Sequence, residues 1–310
     1  MKKFIYSLFL FFLILLLPTA VLITVFHKYI PGPKITNSYS LNEKISFIRS
    51  KKDHHANVLT IGSSIALNNV HSGVIKEMMN TDSYINTAAW GLRISQIFSM
   101  TKSLLEDYNP QTVILAANVI DYYPPEIKLD VKEITDFIRS GSPIKYQYKY
   151  FETDYFFRRL YTNRRNFNTN EIYMSLNFDA NGGVLLQKKD FEKNNERWKK
   201  SIHFEPVKQE NYLYLDSMAS MLSSKGIELI YVQTPIRSGM LDNNYSNNIS
   251  NHVNRLNTIL DKYPNTFFID ATKRRWEDSL FVDVQHFNSI GAKEFTRYFI
   301  KEYLNVKELK

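Results

Sequence analysis

The sequence predicts an α/β protein: a three-layer α/β/α domain built on a five-stranded parallel sheet of flavodoxin-like kind, behind one N-terminal transmembrane helix. Three observations predict it. Short apolar runs alternate with helix-patterned segments, the arrangement that sets parallel strands between two layers of helices. A 23-residue stretch with no acidic or basic side chain, Phe4 to Phe26, stands near the N-terminus. The 310 residues are 44% hydrophobic and 23% charged, which supplies a sizeable core and rules out a disordered chain.

The N-terminal run comes first. As a helix rising ~1.5 Å per residue it covers roughly 34 Å, enough to cross a hydrocarbon core. Where a signal peptide would end, Leu17-Pro18-Thr19-Ala20 is followed by six more largely apolar residues, so an uncleaved anchor is favoured over a cleaved signal. Lys2 and Lys3 face Lys28 and Lys34 across it, a small asymmetry. A short tail ahead of a large downstream region leans towards tail inside and domain outside. The expected location is the cell membrane, single-pass, with the C-terminal domain extracytoplasmic. The expected organisation is 1–28 as cytoplasmic tail and anchor, 29–55 as stalk with a short helix, and 56–310 as the α/β domain with an insertion at about 122–206.

Composition narrows the partners. The chain has no cysteine and therefore no disulfide framework. Its formal charge of +8 suits an anionic partner, lipid head groups or an acidic glycan, or else a merely solvated basic surface. Nucleic acid is set aside, because no recognised binding motif accompanies the charge and a membrane anchor argues against it.

Each element of the folded part has its own signal. Val58-Leu59-Thr60-Ile61-Gly62 reads as a buried strand that stops at a glycine and two serines. A helical pattern from about Ile65 to Met79 follows, then a short strand around Tyr84-Ile85-Asn86. Trp90-Gly91 leads into a second helix with Ile94, Ile97, Met100, Leu104 and Leu105 at helical spacing, closed by Asn109-Pro110. Thr112–Ala116, Ile227–Val232 and Thr266–Asp270 complete five strands, the last two preceded by helix-like segments near 208–224 and 250–262. The 122–206 stretch breaks the alternation. It opens with Tyr122-Tyr123-Pro124-Pro125 and mixes aromatic with basic residues, as in Lys145–Phe151 and Tyr155–Arg159. Placed after the third strand, it is expected over the edge that holds Ser64, as a groove for a sugar chain or lipid head group or as a small core of its own.

In a parallel sheet ligands sit beyond the carboxyl ends of the strands. Ser64, Asn86, Asn118 and Gln233 all fall there. Near the far end, Asp283 and His286 stand three residues apart. A serine hydroxyl needs a base within hydrogen-bond reach and a third group to hold that base in the right tautomer. Ser64, His286 and Asp283 can fill those roles if the fold joins the two ends. Each also has a plainer reading: the serines as helix N-caps, Asp283 as the cap of a helix beginning near Ser289, His286 as a packed loop residue, Asn118 as a turn residue and Gly91 as a helix start. A metal-dependent phosphoesterase is poorly supported, with only Asp121, Asp270 and the Asp283/His286 pair as candidate ligands. No metal or cofactor motif is present in the sequence.

Taken in order, the Gly62-Ser63-Ser64 turn, the Asn86…Gly91 segment, Ala116-Ala117-Asn118, and Asp283-x-x-His286 before Asn288-x-x-Gly291 resemble the sequence blocks of the SGNH (GDSL-like) hydrolases. The likeness covers roughly 56–121 and 226–300. It leans towards the membrane-anchored branch that serves cell-envelope polymers, such as the alginate O-acetylation proteins and the D-alanyl transfer protein of teichoic acids. The resemblance implies Ser64 as nucleophile, His286 as base and Asp283 as its orienting acid. The oxyanion hole would come from the Ser64 and Gly91 N–H groups and the Asn118 amide. It implies a serine acyl-ester hydrolase or O-acyl(acetyl)transferase acting on a surface glycan or other acylated envelope polymer, without a cofactor, beside a membrane-bound acyl-transferring partner. The alternative is a non-catalytic scaffold or glycan-binding module of the same fold. Two departures bear on the oxyanion loop: Ala116 stands where the family has glycine, and Ser63 where the soluble enzymes have an acid.

Overall fold

The computed structural model describes residues 1–26, 31–51, 55–139, 143–165, 176–186, 206–237 and 245–309. They divide into two compact units, one of Met1–Lys34 with Ile144–Thr169 and one of Ile35–Pro143 with Asn170–Lys310.

In chain order the described elements are α1 (Lys2–Phe26), α2 (Tyr39–Ser50), β1 (Val58–Gly62), α3 (Ser64–Asn69), α4 (Ser72–Met78), β2 (Tyr84–Asn86), α5 (Ile94–Tyr108) and β3 (Thr112–Ala117). Then come α6 (Val131–Arg139), α7 (Pro143–Lys149), α8 (Thr153–Arg165), α9 (Gln209–Ser224), β4 (Glu228–Gln233), α10 (Tyr245–Leu260), β5 (Thr266–Asp270) and α11 (Ser289–Leu309). The first unit holds α1 and most of α7 and α8. The side chains of α1 are described through Pro18 and again at Val21. Among the described residues no helix is long and apolar enough to cross a membrane. The expected span therefore rests on the sequence of Phe4–Phe26.

The second unit carries the five-stranded sheet. Its order is β2-β1-β3-β4-β5 and every pairing is parallel. Successive side chains of a strand point to opposite faces, so a strand covered on both sides reads as a continuous apolar run. Ile114, Ala116, Ile230, Val232, Phe267 and Ile269 join a core with Leu67, Ile75, Phe295 and Phe299 from α3, α4 and α11. The alternate positions, Val113, Leu115, Leu229 and Tyr231, are equally buried. Helices α5, α9 and α10 pack against β1, β4 and β5 and against one another. The result is the predicted three-layer α/β arrangement.

One expectation is corrected, and two stretches outside the alternating pattern are placed. The helix expected over Ile65–Met79 is two helices, broken at Val70 and His71. The apolar periodicity continues through the break, but Asn68, Asn69 and His71 are held by distant partners. Asn68 Nδ2 donates to the Val184 carbonyl at 2.9 Å, and the His71 N–H to Thr296 Oγ1 at 2.9 Å. The stretch read as a stalk belongs, from Ile35 on, to the second unit, where Leu41, Ile45 and Ile48 of α2 are buried. Even Lys44 is fully buried, its ammonium donating to the Asn86 carbonyl at 2.9 Å and to the Gly182 carbonyl. Burial drives that ammonium well below its ordinary range.

The insertion at 122–206 is not one body. Helix α6 packs on α2 and α5, and 176–186 returns to the sheet domain, where the Val184 N–H meets the Leu67 carbonyl at 3.0 Å and Leu186 bridges Asn288. Residues 144–165 belong to the first unit, and 166–175 and 187–205 lie outside the described residues.

Candidate active site

The strand order places a topological switch point between β1 and β3, since the chain leaves β1 to form β2 on one side and crosses to β3 on the other. Ser64 follows the end of β1 and Asn118 the end of β3. Gly62 makes the turn: its φ is +145°, and a Cβ there would lie 2.6 Å from Ala66 Cβ and 3.1 Å from the Ala116 carbonyl. Only glycine admits that approach. Ser63 is the N-cap, its Oγ accepting from the Ile65 N–H at 3.2 Å. Ser64 is the first residue of α3, so its N–H is among those a helix leaves without an intrahelical partner.

The far end of the chain supplies the base. Asp283 forms a tight turn in which Oδ1 accepts from the Gln285 and His286 N–H groups at 2.9 and 2.8 Å. Its other oxygen, Oδ2, lies 2.8 Å from His286 Nδ1. A carboxylate at that nitrogen holds the proton there and leaves Nε2 as acceptor. His286 Nε2 stands 2.9 Å from Ser64 Oγ. Asp283 and His286 are each 7% exposed, and Ser64 is half-buried. The imidazole is shielded, while Ser64 keeps part of its surface in solvent. The helix after this loop is capped by Asn288, whose Oδ1 accepts from the Ile290 and Gly291 N–H groups at 3.0 and 2.9 Å. Asp283 is therefore not the cap of α11. Oδ1 and Oδ2 both bond within the His286 turn.

The remaining predicted residues are placed as follows. Asn118 is fully buried; its Oδ1 accepts from the Ile120 N–H at 2.9 Å and its Nδ2 donates to Gln285 Oε1 at 3.1 Å. One of the two amide hydrogens is thus committed to the loop that carries His286. Gly91 lies on the loop between β2 and α5 with φ +75°, a left-handed backbone that favours glycine. Asn86 is structural: its Nδ2 donates to the Ala66 carbonyl at 3.1 Å and ties β2 to α3.

Sequence reasoning missed Asn69 and Phe287, and named Asp121 only as a candidate metal ligand. Asn69, fully buried, brackets the histidine: its Oδ1 accepts from the Phe287 N–H at 2.8 Å and its Nδ2 donates to the Gln285 carbonyl at 3.0 Å. Phe287 anchors the same loop in the core, its ring 4.3 Å from that of Phe281 and 5.2 Å from that of Trp276, centre to centre. Asp121, almost fully buried, accepts from the Asn118 N–H at 3.1 Å and from the Ser63 hydroxyl. Burial pushes its carboxyl up to about 6, against the opposing pull of those two donors and the charges of Arg93 and His286. The Asn118-x-x-Asp121 spacing of a capping box was the signal that could have found it.

The fold and the site define an open parallel α/β protein with a serine–histidine–aspartate relay at its switch point. No protein-family model matches the chain, and no curated protein does. Among solved structures it is similar to a Bacteroides fragilis NCTC 9343 protein described as a "putative acylhydrolase". That likeness has 13% identity over 80% of this chain and 87% of the other, at a TM-score of 0.38.

Proposed function

We propose that this chain is a serine acyl-ester hydrolase or O-acyltransferase of SGNH type. The observation that carries this reading is the Asp283–His286–Ser64 relay, with successive distances of 2.8 and 2.9 Å. In the reaction Ser64 Oγ bonds to the carbonyl carbon of an ester while His286 Nε2 takes the hydroxyl proton. The Ser64 and Gly91 N–H groups and the second Asn118 amide hydrogen are assigned to the oxyanion. Collapse breaks the bond to the departing alcohol, which receives the proton from His286, and leaves the acyl group on Ser64. Water then releases the free acid, or a sugar hydroxyl takes the acyl group, with His286 removing the attacking proton. Esterase and transferase differ only in that second nucleophile.

The setting is read from the sequence. Phe4–Phe26 is assigned as a membrane anchor with the α/β domain outside, which makes an envelope glycan the acylated polymer and a membrane-bound acyl-transferring protein the natural donor. Turnover of p-nitrophenyl acetate by the full chain tests the chemistry. Ser64→Ala and His286→Ala should each lower it by roughly 10³-fold or more. Equal turnover in folded wild-type and variant proteins would contradict the assignment.

A further inference from the structure

The first unit contains a segment that the acyl-transfer chemistry does not use. Residues 143–165, which form α7 and α8, hold six Lys and Arg against two acidic residues, a net charge of +4 in 23 residues of a chain whose total is +8. Eight of the 23 are Tyr or Phe, about a third, against 14% aromatic residues in the whole chain. Some of these rings pack on each other, Tyr146 on Tyr150 at 6.3 Å and Phe151 on Phe156 at 5.4 Å. Much ring surface still faces outward: Tyr148 is 90% exposed, Tyr161 56%, and Phe157 60% although it meets Phe156 edge-on at 5.6 Å. The exposed residues fall at helical spacing, Lys145, Tyr148 and Lys149 on α7 and Phe157, Arg158 and Tyr161 on α8.

Two observations say what this face meets. The segment clusters with Met1–Lys34, so it shares a unit with the apolar helix α1. An ion pair joins Lys34, eight residues after the end of α1, to Glu152, the residue just before α8. Aromatic rings with a polar tip settle at the headgroup level of a bilayer, and Lys and Arg next to an anionic leaflet contribute there as well. A solvent-exposed surface of this composition, in one unit with an apolar helix, suits the headgroup layer around that helix.

We propose that α7 and α8 form a membrane-interface platform, laying Tyr148, Phe157 and Tyr161 with Lys145, Lys149 and Arg158 on the anionic headgroups of the leaflet from which α1 emerges. The proposal rests on the assignment of Phe4–Phe26 as an anchor. It is independent of the chemistry at Ser64.

The absence of cysteine makes the test direct, because one introduced thiol takes one label. The full chain carrying Tyr148→Cys, Phe157→Cys or Leu13→Cys is labelled with a fluorophore. Each is reconstituted in phosphatidylcholine discs, with or without phosphatidylglycerol, containing lipids spin-labelled at the headgroup or along the acyl chain. The expected result is acyl-chain quenching at position 13 and headgroup quenching at 148 and 157, several-fold stronger with phosphatidylglycerol. Lys145→Gln, Lys149→Gln and Arg158→Gln together should abolish that lipid dependence. Quenching at 13 without headgroup quenching at 148 and 157, or quenching there that ignores lipid charge, would overturn the platform while leaving the anchor. No quenching at 13 would overturn the anchor and the platform together.

Discussion

His286 Nε2 lies 2.9 Å from Ser64 Oγ, although the two residues are 222 positions apart in the chain. That closure is made by the sheet and by α11, which carry the two ends of the sequence to one crevice. Its consequences can be measured residue by residue.

Asp283 makes three bonds to one turn, two from backbone N–H groups to Oδ1 and one from the imidazole to Oδ2. Asp283→Asn can keep the backbone bonds but offers an amide where Nδ1–H needs an acceptor, favouring the wrong tautomer. Turnover should fall by roughly 10²–10⁴-fold with little change in melting temperature. Asp283→Ala removes both acceptor oxygens, and with them all three bonds, and should lower both activity and stability. Ester hydrolysis and thermal unfolding, measured side by side, separate the two effects.

Asn69 provides the buried bracket on either side of His286. Truncation to alanine leaves the Phe287 N–H and the Gln285 carbonyl without their partner. The expected cost is about 1–3 kcal/mol for each buried group left unsatisfied, with a loss of turnover. A fully active, fully stable Asn69→Ala would show that the loop is held by its other ties, among them Phe287, Asp283 and the Asn118–Gln285 bond.

Gly62 cannot carry a side chain without moving Ala66 or the β3 backbone. Its positive φ adds strain of order 1–3 kcal/mol for any other residue. Gly62→Ala should therefore destabilise the domain and displace Ser64. Loss of esterase turnover in protein that still unfolds cooperatively would locate the damage at the turn.

Asp121 gives a pH dependence whose sign follows from its environment. Its carboxyl is raised to about 6 in the folded chain, so the folded state holds the proton more tightly than the unfolded one. This group therefore penalises folding above about pH 6, and the penalty is relieved as pH falls from there towards about 4. The net difference, with the opposing bonds from Ser63 and Asn118 already included, is on the order of 3 kcal/mol. Asp121→Asn should raise stability at neutral pH and flatten its change over that window. Unfolding curves of both proteins at several pH values would decide it; an unchanged slope would contradict the assignment.

The reach of the sequence can be judged from particular residues. Strands β1 and β5 were legible to the residue because each is a short apolar run bounded by polar or glycine signals. The candidate relay residues Ser64, Asp283 and His286 were legible as a set because they sit at motif spacing. Their convergence was not, since it depends on contacts across 222 residues. The break between α3 and α4 was hidden because Val70, Val74 and Ile75 keep a helical period. What interrupts the helix is the demand of partners such as Gln285 and Phe287, 216 and 218 residues on, for the side chain of Asn69. The burial of α2 was hidden for a different reason. Lys44 makes α2 look solvent-facing, whereas its ammonium is buried on two carbonyls and lies 4.4 Å from the Phe178 ring centre. Lysine is almost never fully buried, and no local pattern announces the exception.

The central claim is that Ser64 is an activated nucleophile. The direct measurement is treatment of the full chain with a fluorophosphonate, followed by mass-spectrometric mapping of the adduct. The relay predicts a single adduct on Ser64, absent in Ser64→Ala and strongly slowed in His286→Ala. A folded chain that leaves Ser64 unmodified, or that labels as fast without His286, would contradict it.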